Sequence, residues 1–148
     1  LNPRLDPMGA GYQVIQSQIA IGSGGLHGKG FLQGTQSHLN FLPEQHTDFI
    51  FSVVSEEFGF IGISVILFIY CFLIIRWLGM ARTAKSTFSA MLIIGGTAAL
   101  LAHILINVGM TVGLLPVTGK PLPFISYGGS FLMTSFGLVG LVLNGNAE

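Results

Sequence analysis

The chain has 148 residues, 51% of them hydrophobic and 8% charged, and six basic residues balance six acidic ones to a formal net charge of zero. Soluble domains carry about 25% charged residues, so this chain lacks the polar surface that would keep a globule of its size in water. The balanced charge excludes the basic stripe that grips nucleic acid, and the single cysteine, Cys71, excludes an internal disulfide.

In chain order, Leu1-Asn2-Pro3-Arg4-Leu5-Asp6-Pro7 is loop chemistry with none of the features of a signal peptide. The chain is therefore expected to begin inside a loop of a longer protein. Tyr12, Ile15 and Ile19 recur at helical spacing among Gln13, Gln16 and Gln18, which predicts a short amphipathic helix at a membrane surface. Gly22-Ser23-Gly24-Gly25-Leu26-His27-Gly28-Lys29-Gly30 follows. It fails as a Walker A loop, with Ser23 where glycine is needed and Gly30 where Ser or Thr is needed, and His27 breaks the dinucleotide fingerprint. Two readings stay open: a tight turn between surface helices, or a pyrophosphate contact made by backbone N–H groups and Lys29.

Three later stretches are long enough for a bilayer, which takes about 20 mostly apolar residues. They run over about residues 49–75, 88–114 and 124–143. The link between the first two carries Arg76, Arg82 and Lys85 and no acid, so the positive-inside bias makes it cytoplasmic, with Trp77 beside it at the interface. Residues 1–48 and the connection 115–123 then face outward. The fold class expected is an all-α integral membrane protein, a polytopic helical bundle, with residues 1–48 forming an extracytoplasmic loop and 49–148 the membrane domain.

Leu42-Pro43-Glu44-Gln45-His46-Thr47-Asp48-Phe49 is the stretch richest in chemistry, with two carboxylates and an imidazole where polar loop turns into span. Asp48 can complement the positive end of a helix. It can equally serve as a partly desolvated general base at the outer face, and the two roles are compatible. Glu56 and Glu57 follow about two turns deeper, either in a cavity or at interface depth with water access. His103 and Asn107 share one face of the second span, which suits interhelical hydrogen bonds or, more sharply, a proton relay. The four histidines show no ligand-pair spacing, so no metal site is expected from them. Three prolines and a Gly pair in the stretch from Pro116 to Ser130 mark a rigid, irregular entry lining an outer cleft.

These residues together resemble the SEDS family (shape, elongation, division and sporulation). The resemblance rests on Asp6-Pro7, Gly9-Ala10-Gly11-Tyr12-Gln13, Ile21-Gly22-Ser23-Gly24-Gly25-Leu26, the Pro43-to-Phe51 stretch with Glu56-Glu57-Phe58-Gly59, and Pro121-Leu122-Pro123-Phe124-Ile125-Ser126-Tyr127-Gly128-Gly129-Ser130. Gly34-Thr35-Gln36-Ser37 looks more like the RodA elongation branch than the FtsW division branch, and Gln45 stands where Arg or Ala is expected. The resemblance implies a ten-span fold, of which this chain would hold the large outer loop and the last three spans. It implies a peptidoglycan glycosyltransferase of the bacterial plasma membrane that polymerises lipid II beside a class B penicillin-binding protein, with Asp48 as the catalytic residue. Lys29, Glu44, His46, Lys120, Ser126 and Tyr127 are the expected substrate-binding residues. The leaving pyrophosphate would be neutralised by Lys29, Lys120, a residue outside this chain or a divalent cation such as Mg or Mn. A lipid II transporter and a non-catalytic scaffold for a transpeptidase are the rival readings.

Overall fold

The computed structural model describes residues 10–30 and 48–147. Among them the chain forms α1 (Ala10–Gly24), α2 (Ile50–Thr83), α3 (Thr87–Thr111) and α4 (Gly129–Ala147), and no strand. By length and composition α2 and α3 can each cross a membrane, and the apolar stretch of α4, Gly129–Gly145, is shorter. At about 1.5 Å per residue, the 19 residues of α4 reach about 28 Å. The irregular segment that enters α4 adds to that depth.

α2 has 34 residues and runs past the expected end of the first span. Nothing in Arg76-Trp77-Leu78-Gly79-Met80-Ala81-Arg82 stops a helix, since one interior glycine costs only about 1 kcal/mol. The connection between the two spans therefore shrinks to residues 84–86, where the Ser86 hydroxyl accepts from the Ser89 N–H at 3.0 Å and starts α3. Trp77 is buried at 3% exposure in the interhelical core.

The core has a seven-residue rhythm. Ile63, Tyr70 and Trp77 of α2 face Ile93, Leu100 and Ile104 of α3, with Val142 of α4 and Leu122 of the entry loop closing the cluster. A 3.5-residue seam of this kind lets two helices interlock knobs into holes. In a bilayer such close packing, more than any hydrophobic force, holds helices together. The opposite face of α2 carries exposed Phe58, Ile61, Phe68, Phe72, Ile75 and Leu78. From Phe58 to Leu78 that band is about 30 Å long, the thickness of the hydrocarbon core. Glu56 and Glu57 thus stand at its N-terminal edge, and Asp48 lies beyond them.

α2 is broken at Gly59, whose φ of 66° and ψ of −162° are non-helical. The break exposes backbone groups that the glycine-rich loop satisfies. The Lys29 and Gly30 N–H groups donate to the Glu56 and Glu57 carbonyls at 2.9 and 3.1 Å. The Phe60 and Ile61 N–H groups donate to the Gly25 and Leu26 carbonyls at 2.9 and 3.2 Å. A side chain on Gly28 would overlap the Glu57 carbonyl, and one on Gly59 would overlap the backbone of residues 26–28. Two N–H groups and two carbonyls of this loop thus repair a broken helix.

α1 packs against α2 and α3. Its inward side is Val14, Ser17, Ala20 and Gly24, while Ile19, expected on the apolar face, is 46% exposed. Small polar residues decide the docking. The buried Ser17 hydroxyl donates to the Thr111 carbonyl at 2.7 Å and lies 2.6 Å from the Ser52 hydroxyl. Gln18 adds a bond from its amide to the Val112 carbonyl at 2.8 Å.

Candidate active site

Asp48 is half-buried and immediately precedes α2, with the N-cap position falling one residue later on Phe49. Phe49 and Phe51 are almost wholly buried, at 1% and 3% exposure. The segment bearing Asp48 is thus anchored by apolar side chains on its helical side. Its place just before the first turn leaves the carboxylate at the positive end of the α2 dipole.

Two further segments close on it. Asn107, fully buried on α3, donates from its side-chain amide to the Asp48 carbonyl at 2.9 Å and to the Lys120 carbonyl at 2.6 Å. The carboxylate lies against Gly119, where an added Cβ would stand 3.3 Å from Asp48 Oδ2. The Lys120 side chain is exposed. Asp48 and the turn at Gly119-Lys120 therefore form one cluster beyond the N-terminal edge of the apolar band.

The loop from Lys120 to α4 is rigidly built. Phe124 adopts a φ of +65°, a left-handed conformation that costs a non-glycine residue roughly 1–2 kcal/mol. Several contacts hold it there. The Ser126 hydroxyl accepts from the Leu122 N–H at 2.7 Å, and the Ser126 N–H donates to the Leu122 carbonyl at 3.1 Å. The Tyr70 hydroxyl donates to the Pro123 carbonyl, and the Phe124 ring meets Phe136 edge-on at 5.7 Å. Ser126 is thus engaged in shaping the loop, whereas Tyr127 stands 82% exposed at the outer surface.

Lys29 belongs to a separate cluster. Its ammonium lies 2.7 Å from Oε1 of Glu56, whose side chain is 0% exposed while that of Lys29 is 30% exposed. The asymmetry makes a prediction. Lys29→Met strips the ammonium from a fully buried carboxylate and is expected to cost about 3 kcal/mol, as breaking a buried pair does. Glu56→Gln keeps an acceptor of the same size opposite the ammonium and buries no unpaired charge, so it is expected to cost under about half of that. Thermal unfolding of the full-length protein in detergent measures both. Equal losses would mean that burial does not set the balance.

Glu44 and His46 lie outside the described residues. His103 makes no hydrogen bond through Nδ1 among the described residues and rests its ring on Phe131, with centroids 5.2 Å apart. It borders an apolar groove of about 570 Å³ between α3 and α4, lined also by Ala99, Leu100, Pro123, Phe131 and Leu138. Asn107, grouped with His103 on sequence, instead reaches the Asp48 cluster. No three His, Cys, Asp or Glu side chains converge among the described residues. Asp48 is the one carboxylate they bring to this cluster, so they supply no ligand set for the divalent cation.

A profile of the FtsW/RodA/SpoVE family, described as cell cycle proteins, matches residues 1–148. The chain belongs to this family, the SEDS proteins. It is 54% identical over 142 residues to the peptidoglycan glycosyltransferase MrdB of Escherichia coli, a match covering 94% of this chain and 38% of MrdB. It is 46% identical to the peptidoglycan glycosyltransferase RodA of Treponema pallidum over its whole length, which is 34% of that protein. Stage V sporulation protein E of Bacillus subtilis is 44% identical over 97% of this chain and 39% of that one. Among solved structures, a chain from work on the structural coordination of polymerization and crosslinking by a peptidoglycan synthase complex superposes with a TM-score of 0.75 at 37% identity. That superposition covers 96% of this chain and 38% of the other. A point mutant of the Thermus thermophilus rod shape determining protein RodA gives 0.69 at 34% identity, covering 82% and 38%. This SEDS chain is therefore an all-helical membrane protein spanning under two fifths of the length of these relatives.

Proposed function

We propose that the full-length protein is a peptidoglycan glycosyltransferase of the bacterial plasma membrane that polymerises lipid II during cell elongation, and that Asp48 is its general base. The observation that carries this reading is the Asp48 carboxylate beyond the N-terminal edge of the apolar band, fixed at the head of α2 beside Gly119. A base in this place meets substrate whose sugars already lie outside the membrane while its prenyl chain remains in the bilayer. The apolar groove between α3 and α4 has the polarity to take such a chain.

The proposed reaction is general-base catalysis of glycosyl transfer. A sugar hydroxyl is a poor nucleophile until its proton is removed. The Asp48 carboxylate takes the proton from the 4-hydroxyl of the acceptor GlcNAc as that oxygen attacks the anomeric carbon of the donor MurNAc. A new C–O bond forms, the bond to pyrophosphate breaks with its electron pair, and the α linkage inverts to β-1,4. Lys120, exposed and one residue from the Gly119 contact, is the cation of this chain best placed to meet the departing charge. Lys29 is the weaker candidate because Glu56 holds its ammonium. A divalent cation, if used, would need ligands beyond the described residues. Glu44, His46, Ser126 and Tyr127 complete the proposed substrate surface, Ser126 through the loop it shapes.

The partner proposed is a class B penicillin-binding protein, a transpeptidase that would crosslink the strand as it emerges. The relative solved in a peptidoglycan synthase complex supports that reading. Incubating the purified full-length protein with lipid II and this transpeptidase, and resolving the products on a gel, tests the proposal. Long glycan strands are expected. Lipid II left intact, with the protein folded and bound to its partner, would replace polymerisation by transport or scaffolding.

A further inference from the structure

One side-chain amide joins the three segments of the site. Asn107 sits inside an otherwise apolar helix and is fully buried. Its single –NH₂ group has two N–H donors, and both go to main-chain carbonyls: Asp48, 59 residues away in sequence, and Lys120, 13 residues away. Both bonds go to backbone carbonyls rather than to the Asp48 carboxylate. They also set the separation between the Asp48 main chain and the turn at Gly119, which lies against Oδ2. The carboxylate is thereby held between the head of α2 and the outer loop.

We infer that Asn107 is a positioning residue for the reaction: its amide locks the Asp48 and Lys120 segments into the spacing at which the carboxylate can take the proton, without itself touching substrate. The inference rests on the reading of Asp48 as the base. A displacement of about 1 Å at a catalytic group costs on the order of 100-fold in rate, and two hydrogen bonds from one rigid helix are what prevents such a displacement here. Helices hold reacting groups more accurately than loops do. Neither the Asp48 segment nor the Lys120 turn is helical, so both take their register from α3.

The test uses the full-length protein with its transpeptidase partner and lipid II, and separates kcat from KM. Asn107→Asp keeps the shape but, as a carboxylate, can donate to neither carbonyl. Asn107→Leu keeps the bulk with no polar atom. Both are expected to lower kcat by about 100-fold while KM changes less than about threefold. Asn107→Gln, which retains the amide on a longer arm, should recover part of the loss. Gly119→Ala crowds Oδ2 and, at a φ of 61°, strains the turn that carries the Lys120 carbonyl, so it should show the same kcat-only signature. A kcat within about threefold of wild type in the Leu or Asp variant would overturn the inference, as would a loss carried mainly by KM. If both of those variants fail to fold, the other two decide: a kcat loss in Gly119→Ala with partial activity in Asn107→Gln supports the inference, and any other pairing overturns it. Asp48→Asn run in parallel tells the two readings apart. Full activity there removes the base itself, whereas an inactive Asp48→Asn beside a fully active Asn107→Leu removes only the positioning role.

Discussion

Asp48→Asn in the full-length protein is expected to reduce glycan polymerisation by about 10²- to 10⁴-fold, the contribution usual for a general base, with folding and transpeptidase binding intact. The amide is the same size as the carboxylate but does not take up a proton near neutral pH. The substitution keeps the bond from Asn107, which goes to the Asp48 carbonyl that every residue has. Burial of Phe49 and Phe51 continues to seat the segment. Asp48→Glu should also be impaired, since a longer arm drives the carboxylate toward Gly119, already in close contact with Oδ2. Rates of strand formation from labelled lipid II measure both variants. Polymerisation at the wild-type rate by Asp48→Asn would remove Asp48 from the chemistry.

Gly59→Ala is expected to cost about 3 kcal/mol or more in stability, and to lower the yield of monodisperse protein in detergent. Its φ of 66° and ψ of −162° lie in a region essentially restricted to glycine. An added methyl would also overlap the backbone of residues 26–28. The chain could escape by straightening α2, but that would expel the glycine-rich loop and abandon the hydrogen bonds between residues 25–30 and 56–61. Each such bond contributes about 0.5–1.5 kcal/mol net, so escape is no cheaper than strain. Gly28→Ala, on the other side of the same contact, should behave alike. A melting temperature within a degree or two of wild type for either variant would show that the two strands of backbone are not as tightly apposed as described.

What the sequence discloses here is what short-range patterns encode. Long apolar runs predicted α2 and α3, and the cluster around Asp48 advertised a site because ionisable residues are rare in such a chain. The same patterns were silent or misleading where the determinant is a partner distant in sequence. Tyr12, Ile15 and Ile19 make an amphipathic pattern, yet α1 is seated by Ser17, whose partners Ser52 and Thr111 lie 35 and 94 residues away. Trp77 beside a basic run read as an interfacial anchor because nothing local revealed that α2 continues to Thr83. Asn107 read as one half of a pair with His103, although its amide serves two loops instead. Two signals were present and could have been used. A lone glycine behind a pair of glutamates marked the break at Gly59, and a lysine in a glycine-rich loop supplied the counter-charge that Glu56 needs.

The hydrogen bonds from α1 to Thr111 and Val112 have a consequence for biosynthesis. Ser17 and its acceptor carbonyl are separated by 94 residues, and ribosomes add roughly 5–20 residues per second. Once α1 has been delivered to the outer side, it must wait roughly 5–20 s before the end of α3 exists to receive it. During that interval α2 alone can hold it, through the break at Gly59 and the Ser52 hydroxyl. The glycine-rich loop is thus the temporary mooring of α1, which is fully seated only when the chain beyond Thr111 arrives.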